Sequence, residues 1–334
     1  MSPDSSQAEP HDALPVSVVV PTFNRCGRLA RVLEGFAAQR NDALFEVVVV
    51  SDGSTDGTDD YLRSGNTPLP VVAVFQTNSG PAEARNSGVA AARGAMVLFV
   101  DDDVVPEPGF VEAHVHAHDA HAGDIVVIGP MLTPPDARLS PWVAWEQAML
   151  DKQYALLADL PTAYYRNFYT GNASIPRRRI LEVGGFDRRF RRAEDIELAY
   201  RLHCVGLTFI FDANARGLHY AERSYDSWQN NAYEYGRTDV IMAREGQLGT
   251  LAEIGANFRS RHRLQRWIVQ LSVPHARMAA ACCAALRRTA LIADRLGRSS
   301  ITRQALSGLY GIRYHQGVAH ELGDPALAKA FMSS

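Results

Sequence analysis

The sequence predicts an α/β fold: a doubly wound, mostly parallel central sheet flanked by helices, with a helical C-terminal extension. Three observations carry that expectation. The first hundred residues hold four short, apolar, β-branched runs; helical patterns separate them; and the chain reads as helix from about Ser224 to its end. Strands covered on both faces lose the alternation of half-exposed strands, so continuous apolar runs point to a parallel sheet.

In order, the runs are Val16–Val20, Phe45–Val50, Val71–Gln76 and Met96–Val100. Between them lie the helical patterns Arg25–Gln39, Asp56–Arg63 and Pro81–Ala92, the last with Pro81 suited to a first helical position and Gly94 beyond its end. That βαβαβαβ order is the signature of a doubly wound sheet. Further on, Ile125–Ile128 reads as a strand and Pro141–Leu157 as a helix. Arg166–Ser174, Thr208–Asp212 and Arg216–His219 read as short strands around a helix at Glu194–Val205. The last third breaks near Gly246–Gly249, Pro274 and Gly297–Ser300. The expected division is a disordered tail at 1–14, a main domain at 15–223 with halves 15–103 and 104–223, and a helical region at 224–334.

Composition narrows the function classes. The chain has 334 residues, 46% hydrophobic and 21% charged, with a formal net charge of -3, so nucleic acid is not the expected partner. Four cysteines without a CxxC pair read as reduced thiols. The N-terminal tail has no apolar core of a signal peptide, and Met278–Leu286 is far shorter than the roughly 20 residues that span a bilayer. The expectation is a soluble, cytoplasmic protein.

In doubly wound sheets ligands bind beyond the carboxyl ends of the strands. Those ends read Pro21-Thr22-Phe23-Asn24-Arg25, Ser51-Asp52-Gly53-Ser54, Thr77-Asn78-Ser79-Gly80 and Asp101-Asp102-Asp103. All are polar and should converge on one crevice. Three adjacent carboxylates repel one another unless a cation neutralises them, and carboxylate oxygens suit Mg²⁺ or Mn²⁺. Asp52 sits where it can accept a hydrogen bond from a nucleobase. Arg85 suits either a phosphate or the acidic loops. Glu194 and Asp195 open a helix, where acids offset the partial positive charge; one of them, Asp195 by preference, would face the crevice as a general base. His219 is either structural or a neutral metal ligand. His114, His118 and His121 share a helix face with His116 nearby, a pattern that reads as a polar face rather than a zinc site.

Read as an ordered set, these segments resemble glycosyltransferase family 2. The matching stretches are Val18–Arg25, Ser51–Asp56, Ala84–Gly88, Phe99–Asp103, Gly171–Ser174, Gly184–Asp187 and Glu194–Leu198. The set spans about Val16 to Tyr220, leaving the C-terminal third outside it. The resemblance implies a GT-A fold and an inverting transfer of sugar from a nucleotide-diphosphate donor, a UDP-sugar by family weight, to a hydroxyl on a carbohydrate or other acceptor. It implies that Pro21, Thr22, Asn24 and Asp52 hold the base, with Arg25 and Arg85 nearby. Asp101 and Asp103 would form the DxD pair, Asp103 binding Mn²⁺ or Mg²⁺ and Asp101 or Asp102 reaching the ribose or sugar. Asp195 would be the base, with Glu194 beside it. His219 would assist the metal or the leaving phosphate, and Gly171 and Asn172 would line the donor sugar and acceptor.

Two other readings stand beside it. One is a non-catalytic sugar-nucleotide-binding or regulatory protein of the same fold. The other, a sugar-1-phosphate nucleotidyltransferase, expects a Gly-rich basic loop where this chain has Pro-Thr-Phe-Asn-Arg. The C-terminal third is open to acceptor specificity, homodimer contacts or peripheral attachment to the inner face of the membrane. Within it Trp228, Tyr233 and Tyr235 could stack on a sugar but read by preference as packing residues, and the arginine-bearing Gln265–Arg295 could lie on a membrane but, interrupted by Pro274, reads by preference as a core or dimer segment.

Overall fold

The computed structural model describes residues 15–39, 45–190, 192–246 and 251–323. The expected tail at 1–14 lies outside them, as does most of the break expected at Gly246–Gly249. The four apolar runs form β1 (Val16–Thr22), β2 (Phe45–Asp52), β3 (Val71–Gln76) and β4 (Met96–Val100), joined by α1 (Cys26–Ala37), α2 (Thr58–Arg63) and α3 (Pro81–Ala91). All four strands pair in parallel, in the order β3-β2-β1-β4.

Alternate valines of β1 and β2 enter different cores, which is why these runs carry no polar face. Val18, Val20, Val47 and Val49 pack with Leu29, Val32, Leu33 and Phe36 of α1. Val19, Val48 and Val50 pack with Ala84 and Val89 of α3. Each fully buried valine is worth about 1.5–3 kcal/mol relative to exposure, so the register that presents the strand tips is firmly held.

The sheet continues through β6 (Ile125–Ile128), β8 (Asn172–Pro176) and β9 (Thr208–Phe211) to seven strands, ordered β3-β2-β1-β4-β8-β6-β9. Only β8 runs against its neighbours. It also differs from the expected Arg166–Ser174: Tyr165–Asn167 is a 3-10 turn, and the strand starts at Asn172. A short apolar run specifies neither its direction nor its start.

A second, three-stranded sheet is built from β5 (Val104–Pro106), β10 (Gly217–His219) and β7 (Met131–Leu132), with β10 central. β10 pairs antiparallel with β5, setting His219 opposite Val104, and the Tyr220 N–H donates to the Asp103 carbonyl at 2.8 Å. This pairing brings a residue 116 positions away to the acidic loop.

The remaining helices of the sheet region are α4 (Phe110–Asp119), α5 (Pro141–Leu157), α6 (Arg177–Glu182) and α7 (Glu194–Cys204). After them come α8 (Tyr225–Arg244), α9 (Leu251–Arg259), α10 (Arg263–Ser272), α11 (Ala276–Arg295) and α12 (Ser299–Leu322). α8 and α12 cross in close contact: a Cβ at Gly236 would lie 2.0 Å from the Tyr314 carbonyl, and one at Gly317 would lie 1.9 Å from that of Tyr233. The division at residue 223 is our proposal. Packing is shared across it, with Met242 in the sheet-side core and Trp142 and Trp145 of α5 against the helical one.

Candidate active site at the strand tips

Asp101, Asp102 and Asp103 follow β4 directly, and the structure gives each a different environment. Asp102 is buried; its carboxylate accepts from Thr22 Oγ1 at 2.7 Å and from Arg25 Nη1 at 2.6 Å. Asp103 is also buried and faces Arg25 Nη1 at 3.2 Å, Arg28 Nη1 at 3.5 Å and His219 Nε2 at 3.6 Å. Burial pushes both carboxyls up to about 6, against the pull of the arginines. Asp101 alone keeps substantial exposure. Of the two carboxylates expected to reach a ribose or sugar, Asp102 links β1 to β4 through its oxygens, and Asp101 is the more exposed.

His219 is kept neutral, its pKa lowered to about 4 chiefly by burial. Its Nδ1 is buried without a hydrogen-bond partner among the described residues. Such an orphaned atom is unusual, because buried polar groups are generally paired.

Arg85 joins this loop to the start of α7. Nη2 donates to Asp101 Oδ1 at 3.0 Å and Nη1 to Glu194 Oε1 at 2.8 Å, while the guanidinium lies over the Phe186 ring. Of its two readings from sequence, the structure shows the pairing with acids; a buried arginine between two carboxylates is not open to a phosphate. Glu194 is likewise occupied and buried. Adjacent helical residues diverge by about 100°, so Asp195 points elsewhere. Its Oδ1 accepts from the Ile196 N–H at 2.8 Å. Burial, then the neighbouring Glu194 charge, pushes its carboxyl up to about 7, with Arg85 pulling the other way. The helix begins after Ala193, a non-glycine residue at φ 57; backbone strain of this kind collects at functional sites.

At the other tips, Asn24 sits at φ 54, accepts from the Thr55 N–H at 2.7 Å and is exposed beside the partly exposed Pro21. Asp52 is buried and accepts from Gln76 Nε2, the Ser79 N–H and the Gly80 N–H at 2.7–2.9 Å. It clasps the loop before α3, leaving about one of its four acceptor directions. Gly171 lies against the acidic tip: a Cβ there would meet Met131 Sδ at 2.5 Å and Asp101 Oδ2 at 3.1 Å.

Two of the expected features lie in the interior. The Asn172 amide, read as lining the sugar or acceptor, is wholly enclosed. It donates to the carbonyls of Pro130 and Ala215 and pairs with His114. The histidine helix does not present a simple polar face either. His114 is buried on Asn172 and Ser174, His118 bonds the same Ser174 hydroxyl, and His116 and His121 are exposed. Burial lowers His114 to about 3 and His118 to about 4, so both stay neutral inside the fold.

Residues outside the sequence-derived set also surround the crevice. Arg28 and Arg223 act electrostatically on Asp103 and His219. Arg223 is held by Glu146 at 2.9 Å. The Tyr235 phenol is pushed up first by burial and then by the nearby Asp195 carboxylate. Arg28 stands on the first turn of α1, three residues beyond Arg25, whereas Arg223 and Tyr235 are brought in by the packing of α5 and α8 against the sheet.

A mostly parallel α/β sheet flanked by helices, with acidic and polar strand tips on one side, is an architecture of the GT-A class. The chain belongs to glycosyl transferase family 2, whose family model matches residues 17–185. It is 35% identical over 233 residues to validoxylamine A glucosyltransferase of Streptomyces hygroscopicus subsp. jinggangensis, covering 61% of this chain and 54% of that one. It is 27% identical over 234 residues to hyaluronan synthase of Pasteurella multocida, covering 60% of this chain and 24% of that one. The chain thus spans about half the length of its more similar relatives, or less. Among solved structures, the mannosyltransferase PcManGT of Pyrobaculum calidifontis aligns at TM-score 0.59 and 21% identity, over 96% of this chain and 90% of that one. TarS 1-349 of S. aureus aligns at TM-score 0.50 and 18% identity, over 93% and 92%. These likenesses establish the fold.

Proposed function

We propose that this glycosyltransferase moves a sugar from a nucleoside diphosphate donor, a UDP-sugar in our reading, to an acceptor hydroxyl with inversion at the anomeric carbon. The observation that carries the reading is the Asp101–Arg85–Glu194 bridge. It fixes Asp195, a carboxyl with a raised pKa, beside the acidic strand tip. A base with a pKa near the working pH combines a large ionised fraction with a useful driving force for proton transfer.

In this reading the base and ribose lie across Pro21, Asn24 and the free acceptor direction of Asp52, and the sugar lies over Gly171. Asp195 takes the proton of the acceptor hydroxyl as its oxygen bonds to the anomeric carbon. The bond from that carbon to the diphosphate breaks on the opposite side, and its electron pair leaves with the phosphate. Arg25 and Arg28 lie where they favour that anion. Glu194 and Arg85 hold the geometry, and Tyr235 borders the acceptor side.

The acidic tip suits Mn²⁺ or Mg²⁺. Asp101 and Asp103 supply hard oxygens, and neutral His219 is not spent on another hydrogen bond at Nδ1. As the side chains lie, no three such groups cluster among the described residues, so the diphosphate would complete the coordination. When bound, such an ion supplies Lewis-acid stabilisation of charge on the departing diphosphate. Structures of this fold bearing UDP, and GDP-mannose with Mn²⁺, support the choice of donor class and metal.

Equilibrium binding of UDP, GDP and their sugars with and without Mn²⁺, followed by acceptor screening with the tightest donor, tests the reading. Asp195→Asn should bind donor as wild type does and transfer sugar about 10²–10⁴-fold more slowly. If Asp195→Asn lost donor binding and transfer together, the assignment of Asp195 as base would fail.

A further inference from the structure

The helical region carries a marked segregation of charge. From Ile254 to Ala293 there is no Asp or Glu, while seven arginines fall between Arg259 and Arg288, in a chain whose net charge is -3. Some of these arginines are used internally: Arg287 stacks over the Tyr225 ring, and the Arg261 guanidinium lies close against Gly311 of α12. Arg259, Arg263 and Arg277 are exposed and have no ion-pair partner among the described residues.

The same segment exposes an apolar stripe. Leu264, Trp267 and Leu271 of α10 are 58%, 60% and 42% exposed, and Met278 at the start of α11 is also exposed. Their spacing of three and four residues places the α10 side chains within about 60° of arc, at 100° per residue. The opposite side of α10 is anchored by Val269 and Ser272, which are buried. The stripe is therefore an outer surface of a packed helix rather than a misplaced core.

An apolar stripe rimmed by guanidiniums and free of carboxylates fits the interface of an anionic bilayer. Indole and leucine side chains enter the boundary region while arginines stay at the phosphates. A second copy of this chain fits less well, because facing copies would bring two uncompensated arginine rims together. We propose that α10 and the start of α11 dock this enzyme peripherally on a lipid surface bearing anionic headgroups. Docking of this kind needs no spanning segment, and no helix among the described residues is long and apolar enough to cross a membrane. It stands independently of the donor and mechanism proposed above.

Co-sedimentation of the full chain with phosphatidylcholine vesicles, with and without phosphatidylglycerol, tests this directly. The protein should pellet with the anionic vesicles and stay in solution with neutral ones, and high salt should release it. The triple variant Arg259→Gln/Arg263→Gln/Arg277→Gln should lose roughly a hundredfold in partitioning, at about fivefold per arginine. Trp267→Ser should weaken binding on its own, with an unchanged circular dichroism spectrum showing that the fold is intact. Equal pelleting of wild type and both folded variants, or none with anionic vesicles, would overturn the proposal. So would a wild-type dimer that Trp267→Ser splits while vesicle binding persists.

Discussion

Two acidic clusters lie on the same crevice, and they are neutralised in opposite ways. At the tip of β4, Asp102 and Asp103 face Arg25, whose side chain is 40% exposed. At the start of α7, Glu194 faces Arg85, whose side chain is 7% exposed. A charge partner that reaches solvent can swing away when a ligand brings its own charge. A buried partner cannot leave without stranding a carboxylate in low dielectric. The difference separates a cluster suited to exchange from one suited to rigidity: in the proposed function donor charge is handled at β4, while the bridge at α7 holds Asp195 in place.

The contrast yields graded expectations. Removing the base should have the largest effect: Asp195→Asn lowers kcat by about 10²–10⁴-fold, read by initial rates at saturating donor. Breaking the buried bridge comes next. Arg85→Ala should destabilise the fold by about 3–5 kcal/mol, seen as a lower denaturation midpoint, with donor binding impaired because Asp101 and Glu194 are left unpaired. The matching change at the exposed arginine should be milder than at Arg85, because Asp102 keeps the Thr22 hydroxyl and Asp103 keeps Arg28: Arg25→Gln lowers the denaturation midpoint less than Arg85→Ala and raises the KM for donor more than it lowers kcat. If Arg25→Gln proved as destabilising as Arg85→Ala, the distinction between an exchangeable and a fixed counter-charge would not hold.

Much of the architecture could be read from the chain because its signals are local. A run such as Val47–Val50 ending in Ser51-Asp52 declares both a doubly covered strand and a polar tip within six residues. What stayed hidden depends on contacts between distant residues. Arg85 meets Glu194 across 109 positions and Thr22 meets Asp102 across 80, so neither the bridge nor the burial of Asp102 could be inferred from spacing. The histidines show a subtler failure. His114 and His118 do share a face, but that face meets Asn172 and Ser174 of β8, a strand whose start and direction the sequence left unspecified. Asn172 depends on the same kind of distant contact: a polar residue at a strand tip suggests a ligand contact, whereas the carbonyls of Pro130 and Ala215 accept from its amide.

The environment of Asp195 also links activity and stability to pH with opposite signs. Burial and the neighbouring Glu194 charge push its carboxyl up to about 7 in the folded protein, against about 3.9 in an unfolded chain. Between those values the folded state holds more protons, so this residue's contribution to stability falls as pH rises through the window. The ionised base becomes available over the same range. The most direct test is the pH dependence of kcat/KM for sugar transfer by the wild-type enzyme. A single acid limb that rises and levels off with an apparent pKa near 7, absent from the residual activity of Asp195→Asn, is the predicted result. A profile flat from about pH 5 to 8, or an unchanged limb in Asp195→Asn, would contradict the placement of the base.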